Sequence, residues 1–550
     1  MRGLMMDYQL TVPAILRRAE ALSGHVEIVS RTADGGLRRY LYSDMIRRAR
    51  QLAGALQKLG IRPGDRVATL AWNHSSHLEA YFAIPSIGAV LHTLNLRLHA
   101  DDLAYIVEHA GDRVLLVDAS LVPLLEQFRS RVSLERVIVF DGGVNTLEGT
   151  DDYETCLASM NPDELEYPDL DERAAAAMCY SSGTTGRPKG VVYSHRALAI
   201  LAMNWTAADT VGVRQRDVIL SVVPMFHING WGLPFTAVHV GAKLVLPGSR
   251  LAAVDLLELI AREKVTLSAG VPTVWLSVLH ALAAQPGVHD VSSLHTLVIG
   301  GSAVPESLLR GFEEQHGITV KQAWGMTETT SLATVCSLPA DLEGRPADAQ
   351  DEWRARKGLP MPFVEIRARG ADGLVPWNGE TMGELEVRGP TVASAYYDPA
   401  DPLEGFTPDA WLRTGDIVTI NARGCIQICD RAKDLIKSGG EWISSVALEN
   451  ALMGHPAVRE AAVIGVPDPR WEERPLAVVS LKPGASATAE ELRRHLAPHF
   501  VTWSLPDAFA FVDEIPKTAT GKFLKTVLRD RYGTRVPADV GVESDGGSTN

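Results

Sequence analysis

Short apolar segments alternate with amphipathic helical segments along most of the chain, and this alternation restricts the possible folds more than any other feature. Residues 66–72 (RVATLAW) and 112–119 (DRVLLVDA) have the composition of buried strands, and residues 78–90 between them have helical character. Residues 295–317 repeat the scheme with a strand, a glycine turn and then a helix. This alternation predicts an α/β fold built on parallel sheets.

Composition excludes several functional classes. The 550 residues include 53 Lys and Arg against 67 Asp and Glu, a net charge of −14, which argues against a nucleic-acid-binding surface or a polybasic membrane anchor. The five cysteines form no Cys-X-X-Cys pair, so neither a disulfide framework nor a structural zinc site is expected. No apolar run approaches the ~18 residues of a membrane span, and residues 1–20 lack the apolar core of a signal peptide. These features predict a cytoplasmic enzyme without an integral membrane segment.

A change of pattern near residue 430 predicts a domain boundary. After a charged and glycine-rich connector, strands are expected at 460–467 and 475–483, followed by a helix that Thr488 and Glu491 can cap. These elements predict a compact α+β unit. The expected organisation is a large N-terminal domain at 1–429, a hinge linker at 430–435, a small C-terminal domain at 436–533 and a disordered tail at 534–550.

The segment 181–190, Ser-Ser-Gly-Thr-Thr-Gly-Arg-Pro-Lys-Gly, follows an expected strand at 174–180. Its three glycines let the backbone turn tightly and expose N–H groups, while four hydroxyls and one lysine supply further donors. The spacing differs from that of a Walker A loop, because no Gly-Lys-Ser/Thr occurs here. The sequence therefore predicts a phosphate-binding loop that includes Ser181, Ser182, Gly183, Thr184, Thr185, Gly186 and Lys189.

Four further motifs carry side chains suited to a nucleotide. In 322–328, Trp324 offers a flat face for adenine and Glu328 a hard carboxylate for Mg²⁺. A glycine turn at 300–303 allows backbone to approach a ligand closely. Asp416, beside a glycine, can accept both hydroxyls of a ribose, and Lys522 lies on a glycine turn as a mobile positive charge.

With these motifs in this order, the chain resembles the adenylate-forming superfamily of acyl-CoA synthetases, adenylation domains and luciferases, over about residues 10–532. It resembles most closely the bacterial medium- and long-chain fatty-acid–CoA ligases. The resemblance implies an α/β fold with a large N-terminal domain of layered β-sheets and helices and a small, mobile α+β C-terminal domain. It also implies a two-step reaction, in which a carboxylate and Mg·ATP give an acyl-adenylate and CoA then gives the acyl-CoA.

The resemblance further implies residue roles. The aromatic ring at Trp324, a position where tyrosine is commoner, stacks on adenine; Thr184 and Glu328 lie at the magnesium site; Lys522 catalyses adenylation. The hinge falls on Lys433. The expected ATP-binding set also contains Gly301, Gln322, Ala323, Gly325, Met326, Thr327, Asp416, Arg431, Lys433 and Lys437, and the expected CoA passage contains Ser438, Gly439, Gly440 and Trp442.

The segment 224–232 resembles the family segment that shapes the acyl pocket. There His227 is expected to shape or stack beside the nucleotide, Trp231 to stand at the mouth of a lipid tunnel, and Gly301 to line the same pocket. The apolar segments FHINGWGLPF and SAGVPTVW carry no acidic residue that could pair with an ammonium, which disfavours an amino-acid adenylation domain.

Several alternatives stay open. Within the superfamily these are a ligase for a short or thioether acid of the methylmercaptopropionate type, and an acyl-AMP ligase that loads a separate carrier protein. A hydrolase is disfavoured because no Gly-X-Ser-X-Gly motif occurs. A non-catalytic nucleotide-binding protein would be expected to lack Thr184, Glu328, Asp416 or Lys522, which are all present. The resemblance suggests a homodimer.

Overall fold

The computed structural model describes residues 1, 3–140, 149–181, 187–302, 304–398, 403–438, 441–517 and 523–533. Several predicted site residues lie outside these ranges, as does the expected tail 534–550. They are Ser182, Gly183, Thr184, Thr185, Gly186, Gly439, Gly440 and Lys522.

Two mainly parallel sheets form the body of the molecule, as the alternation predicts. The first consists, within the described residues and in spatial order, of Leu359–Pro360, Thr334–Val335, Thr319–Trp324, Thr296–Ile299, Leu267–Gly270, Val218–Ser221, Lys243–Leu246, Glu27–Arg31 and Leu37–Leu41. The second consists of Asp151–Asp152, Arg136–Phe140, Asp112–Asp118, Arg66–Leu70, Val90–Thr93, Ala175–Tyr180 and Gly190–Ser194.

Two smaller sheets are mainly antiparallel. One is made of Gly373–Leu374, Glu365–Gly370, Gly383–Arg388, Leu412–Ile420 and Ile426–Arg431. The other, after the expected boundary, is made of Glu441–Ile443, Ile436–Ser438, Glu472–Leu481 and Val458–Asp468, with Ala508–Phe511 paired to Glu472–Leu481. The chain is therefore an α/β protein with a large N-terminal and a small C-terminal domain, while the residue boundaries between them stay predictions.

The position of each helix is determined by its apolar face, which packs against a sheet. A continuous core of buried side chains joins the facing sides of the two large sheets to the helices Val12–Ser23, Tyr42–Lys58, Ser75–Ser86, His195–Thr206 and Leu233–Val240. The helix Ser75–Ser86 is buried along its whole length, as expected for an element enclosed on all sides. Large apolar side chains therefore fill the space between the sheets.

Other helices cover the outer faces and the smaller sheets. Ala253–Glu263, Pro272–Ala284 and Glu306–His316 pack on the outer face of the first large sheet, and Ala100–Ala110 with Val122–Glu126 pack on that of the second. The remaining helices are Tyr153–Ala158, Ala347–Arg354, Ser445–Met453, Ala489–Leu496 and Lys525–Tyr532. None of the helices in the described ranges combines the length and the apolar character needed to cross a bilayer.

Candidate active site

A cavity of about 1130 Å³ lies at the carboxyl ends of three neighbouring strands of the first large sheet. These parallel strands end at Gly270, Ile299 and Trp324, and the residues that follow each of them line the cavity. The carboxyl edge of a parallel sheet is where α/β proteins bind ligands, because loops from several strands meet there. The cavity is therefore the candidate active site.

Trp324, Asp416 and Arg431 form one hydrogen-bonded group on the cavity wall. The indole Nε1 of Trp324 donates to Oδ2 of Asp416 at 2.8 Å, and Nε of Arg431 lies 2.8 Å from Oδ1 of the same carboxylate. Asp416 and Arg431 are direct neighbours across two antiparallel strands. Both carboxylate oxygens are thus engaged, and the aromatic ring and the acidic group are held in fixed relative positions.

Glu328 lies in the same cavity with its carboxylate anchored by a tyrosine. The hydroxyl of Tyr396 donates to Oε1 of Glu328 at 2.8 Å, and the Glu328 side chain is almost fully buried. Burial, together with the neighbouring Glu328 charge, raises the pKa of Tyr396 above its usual value. The hydroxyl therefore stays protonated and donates its hydrogen to the Glu328 carboxylate.

The ends of the predicted phosphate loop are tied together. The backbone N–H of Ser181 donates to the carbonyl of Lys189 at 2.9 Å, and the N–H of Lys189 donates to Oγ of Ser181 at 3.3 Å. The ammonium of Lys189 lies 2.6 Å from Glu404 and over the ring of Tyr396. Both Ser181 and Lys189 line the cavity.

Glycines bring backbone close to the cavity where the sequence predicts it. A side chain at Gly300 would come within 2.7 Å of the carbonyl oxygen of Ala323, and one at Gly325 would overlap the carbonyl of Ser331. Gly301 has a φ of 85°, and a Cβ there would lie 3.7 Å from the ring of Trp231. Gly301 and Trp231 are therefore neighbours, as the sequence predicts for a shared pocket.

An unusual turn positions His227 and Trp231. From Ile228 to Gly232 all five residues have positive φ angles, including 46° at Ile228, 47° at Asn229 and 55° at Trp231. Positive φ is uncommon outside glycine and costs of the order of 1–3 kcal/mol per residue. His227, Ile228 and Trp231 all line the cavity, beside the apolar side chains of Val271, Pro272, Leu276 and Val304. This end of the cavity is therefore apolar.

The chain after residue 430 contributes some residues to the cavity, whereas a group of predicted residues in it lies elsewhere. Phe523, Leu524 and Lys525, which follow Lys522, line the cavity. Lys433 lines it as well, and its carbonyl accepts from Arg529 at 3.2 Å. Burial lowers the pKa of the Lys433 amine.

The second group lies apart from the cavity lining of the described residues. Lys437 lies 3.1 Å from Glu472, Ser438 accepts from Arg474 at 3.0 Å, and Trp442 is 49% exposed. The structure therefore does not bring the predicted CoA-passage residues Ser438 and Trp442 to the residues that are predicted to bind the nucleotide.

Two cavity residues were missed by the sequence interpretation. Tyr396 contacts Glu328 from 68 positions away, and Lys357 reaches Gln322 from 35 positions away. Neither belongs to a motif with a recognisable spacing. The signal that could have pointed to Lys357 is weak: a lysine between an amphipathic helix and a glycine is ordinary on a surface.

Comparisons with known proteins agree with this geometry. The family model described as "AMP-binding enzyme" matches residues 16–397, and the model "AMP-binding enzyme C-terminal domain" matches residues 447–522. The chain is 47% identical to a long-chain-fatty-acid–CoA ligase of Thermus thermophilus, covering 96% of each chain. It is 41% identical to a medium-chain-fatty-acid–CoA ligase of Ectopseudomonas oleovorans, covering 97% of this chain and 98% of the relative.

Two further similarities cover nearly the whole chain. A 3-methylmercaptopropionyl-CoA ligase of Ruegeria pomeroyi is 39% identical over 97% of this chain and 99% of its own. The solved structure of the anthranilate CoA ligase AuaEII with anthranoyl-AMP superposes with a TM-score of 0.85 and 28% identity, covering 97% of this chain and 99% of that one. Cavity, fold and sequence agree, and the chain belongs to the AMP-binding enzyme family.

Proposed function

We propose that the chain is an AMP-forming fatty-acid–CoA ligase for medium- or long-chain acids. In the first half-reaction a carboxylate oxygen of the acid attacks the α-phosphorus of ATP and pyrophosphate leaves. In the second, the CoA thiolate attacks the carbonyl of the acyl-adenylate and AMP leaves. The observation that carries this proposal is the group formed by Trp324, Asp416 and Arg431 in a cavity whose other end is apolar.

The nucleotide half of the cavity supports these roles. Trp324 presents a ring on which adenine can stack, and its tie to Asp416 fixes that ring beside a carboxylate suited to ribose hydroxyls. The loop 182–186 is proposed to hold the β- and γ-phosphates, with Lys189 leaving Glu404 for them. Lys522 is proposed to neutralise charge on the reacting oxygens, since phosphoryl chemistry depends on positioning and charge stabilisation.

The acidic residues fit a magnesium ion held mainly by substrate. Mg²⁺ is usually bound through one or two carboxylates together with substrate phosphates and water. Glu328 provides one buried carboxylate in the cavity, and no cluster of three or more His, Cys, Asp or Glu side chains suited to a metal occurs among the described residues. Glu328 and Thr184 would hold the ion, which when bound neutralises phosphate charge.

The apolar end is proposed as the acyl pocket. Gly301 leaves room beside Trp231, and the neighbouring lining residues are Val271, Pro272 and Leu276. His227 is proposed to lie at the boundary between the acyl pocket and the nucleotide half of the cavity. A buried α-ammonium would need a carboxylate partner, which the apolar lining does not offer there.

The second half-reaction requires a different arrangement of the C-terminal domain. Residues 523–525 line the cavity, which fits adenylation, whereas Ser438 and Trp442 lie apart from it. We infer that the domain, taken as 436–533 beyond a linker at 430–435, rotates about Lys433 after adenylation. Rotation would bring Lys437, Ser438, Gly439, Gly440 and Trp442 to the cavity for CoA. We also propose that the protein is cytoplasmic and forms a homodimer. Its five cysteines are free thiols.

The decisive experiment is a pyrophosphate-release assay with Mg·ATP and acids from C3 to C18, with and without CoA, on wild type and Lys522→Ala. Release that CoA stimulates and that the substitution abolishes is expected, with the chain-length optimum at C8 or longer. If no acid triggers release from wild type, the proposal is wrong.

A second candidate is a ligase for a thioether acid, favoured by the similarity to the 3-methylmercaptopropionyl-CoA ligase. Including 3-methylmercaptopropionate in the same assay separates the two. Release that is indifferent to CoA would instead indicate an acyl-AMP ligase that loads a separate carrier protein.

A further inference from the structure

Lys357 is a buried amine in the cavity wall that the proposed mechanism does not use. Its side chain lines the cavity, yet the residue is only 7% exposed. Hydrogen bonds fix its backbone on both sides, from its own N–H to the carbonyl of Ile426 and from Oγ1 of Thr334 to its carbonyl. The position of the amine is therefore set by the surrounding strands.

Among the described residues, the amine forms one hydrogen bond. Its Nζ donates to Oε1 of Gln322 at 2.5 Å, and no carboxylate of the described residues lies within 4 Å of it. Burial lowers the pKa of the Lys357 amine to about 8, against the smaller opposing effects of Cys336 and Asp416. An ammonium has three hydrogens to donate, so two remain for a ligand in the cavity.

Lys357 also fixes the orientation of the Gln322 amide. The nitrogen Nε2 of Gln322 donates to the carbonyl of Arg354 at 2.8 Å, while Oε1 accepts from Lys357. A carbonyl can only accept and an ammonium can only donate, so the amide has one permitted orientation. Its oxygen, which has a second lone pair, therefore remains on the side of Lys357.

Gln322 and the aromatic residue Trp324 belong to the same strand. Gln322 and Trp324 are two positions apart on the strand Thr319–Trp324, which places them on the same side of it. Both line the cavity together with Lys357. The cavity wall beside the Trp324 ring thus carries a hydrogen-bond donor next to an acceptor.

We propose that Lys357, acting with Gln322, determines the selectivity of the cavity for adenine over 6-oxopurines. Adenine has a ring nitrogen that accepts beside an exocyclic amine that donates, which matches Nζ and Oε1. Hypoxanthine and guanine have a carbonyl oxygen in place of the amine, and it would face the lone pair of Oε1. The inference rests on the proposed function, since it takes ATP as the occupant of the cavity.

The test compares ATP with ITP, which carries hypoxanthine in place of adenine. Dissociation constants are measured by titration calorimetry on the full chain without acid or CoA, and kcat/KM by pyrophosphate release with a fatty acid. Wild type is expected to prefer ATP by at least about 100-fold, because a site built around a donor rejects an analogue that lacks it. Lys357→Met is expected to reduce this preference at least about tenfold, mainly through the KM for ATP.

Lys321→Met is the matched control. Lys321 precedes Gln322 on the same strand, and its amine is likewise lowered in pKa by burial. It donates to the carbonyl of Thr210 at 2.6 Å and to Ser337 at 3.1 Å, and it does not line the cavity. Its substitution should lower stability while leaving the ratio of ATP to ITP affinity unchanged.

Two results would overturn the inference. One is a wild type that binds ITP within twofold of ATP, a measurement that needs no variant. The other is a folded Lys357→Met, or Lys357→Gln if the methionine variant does not fold, that keeps the wild-type ratio. If wild type prefers ATP but no acid triggers pyrophosphate release, the proposed function fails and the selectivity stands.

Discussion

The two walls of the cavity are held in different ways. The wall of the N-terminal side joins two sheets through one carboxylate: Asp416 and Arg431 are cross-strand partners in a small antiparallel sheet, and Trp324, at the end of a strand of the first large sheet, bonds to Asp416. The wall of the C-terminal domain, residues 523–529, is held by ionic contacts between segments far apart in the chain. Substitutions in the first wall should therefore act on ligand binding, and substitutions in the second on the position and stability of the domain.

A buried cluster holds the second wall. The ammonium of Lys525 lies 2.7 Å from Glu449 and donates to Ser445 at 2.6 Å, and Ser445 in turn donates to Asp430 at 2.6 Å. Burial opposes the charged amine, yet Glu449 and Asp430 raise the pKa of Lys525 above its usual value. The cluster connects the end of the strand Ile426–Arg431 to two helices of the C-terminal domain.

Among the substitutions that compare the two walls of the cavity, Lys525→Met should have the largest effect, which is a loss of unfolding free energy. It leaves Glu449 and Asp430 buried without their cation, and breaking a buried pair costs about 3–5 kcal/mol. Urea denaturation followed by circular dichroism should show this loss. Lys517→Met is the control, because Lys517 pairs with Glu460 at a more exposed site, and it should lower the free energy of unfolding by less than about 1 kcal/mol. Equal losses of unfolding free energy in the two variants would contradict the inference that the buried cluster around Lys525 stabilises the C-terminal domain.

Asp416→Ala should weaken ATP binding about 100-fold, or about 2.7 kcal/mol. It removes the acceptor of the Trp324 indole and the carboxylate partner of Arg431 together, which leaves the buried indole N–H without an acceptor. Calorimetric titration with ATP measures the loss. Asp409→Ala, at an exposed carboxylate paired with Arg367, should bind ATP like wild type. An Asp416→Ala variant with wild-type affinity would show that the first wall does not bind the nucleotide.

Mild acid should destabilise the interior of the N-terminal domain more than it destabilises the C-terminal domain. His77 is fully buried against Thr69 and the carbonyl of Trp72, and burial lowers its pKa from 6.5 to about 3. The unfolded chain binds this proton near pH 6.5 and the folded chain does not, so stability is complete above pH 6.5 and is lost as the pH falls. Between pH 6.5 and 5 the loss from His77 should be about 2 kcal/mol.

Hydrogen exchange at both pH values can locate this loss. Peptides from 66–90 should exchange faster at pH 5, after correction for intrinsic rates, than peptides from 458–481 do. His77→Gln should flatten the pH dependence of the unfolding free energy. A variant as sensitive to acid as wild type would exclude His77 as the cause.

Of these substitutions, Arg529→Met should have the smallest effect on stability and activity. The ion pair of Arg529 with Asp434 at 2.6 Å is partly exposed, and such pairs contribute about 0–1 kcal/mol. Acyl-AMP formation should change by less than about fivefold, with the dissociation constant of ATP unaltered. Arg494→Met, on an exposed helix face, is the reference. A large drop in ATP affinity would mean that the two walls are not separable.

The sequence predicts what depends on local spacing. The strands Arg66–Leu70 and Asp112–Asp118 fall within the predicted segments 66–72 and 112–119, and the capping box of Thr488 and Glu491 is present. The neighbouring positions of Asp416 and Arg431 agree with the predicted motifs.

The sequence does not predict contacts that depend on long-range packing. Lys525 and Glu449, 76 positions apart, look like solvated surface charges in the sequence, and Lys357 carries no motif. Burial, which gives these residues their chemistry, is set by the sheets and helices that close over them. The predicted hydroxyls and glycines of 182–186 lie outside the described residues.

The bond from the Trp324 indole to Asp416 bears on the entropy of binding. A side chain with free rotamers loses about 0.5–1.5 kcal/mol of favourable free energy when a ligand immobilises it. The Trp324 ring is already restrained in the empty protein, by a bond that folding forms, so a base that stacks on it orders no additional side chain there. If adenine stacks on this ring as proposed, the ordering of the ring is completed during folding, and the base meets a rigid partner from the first encounter.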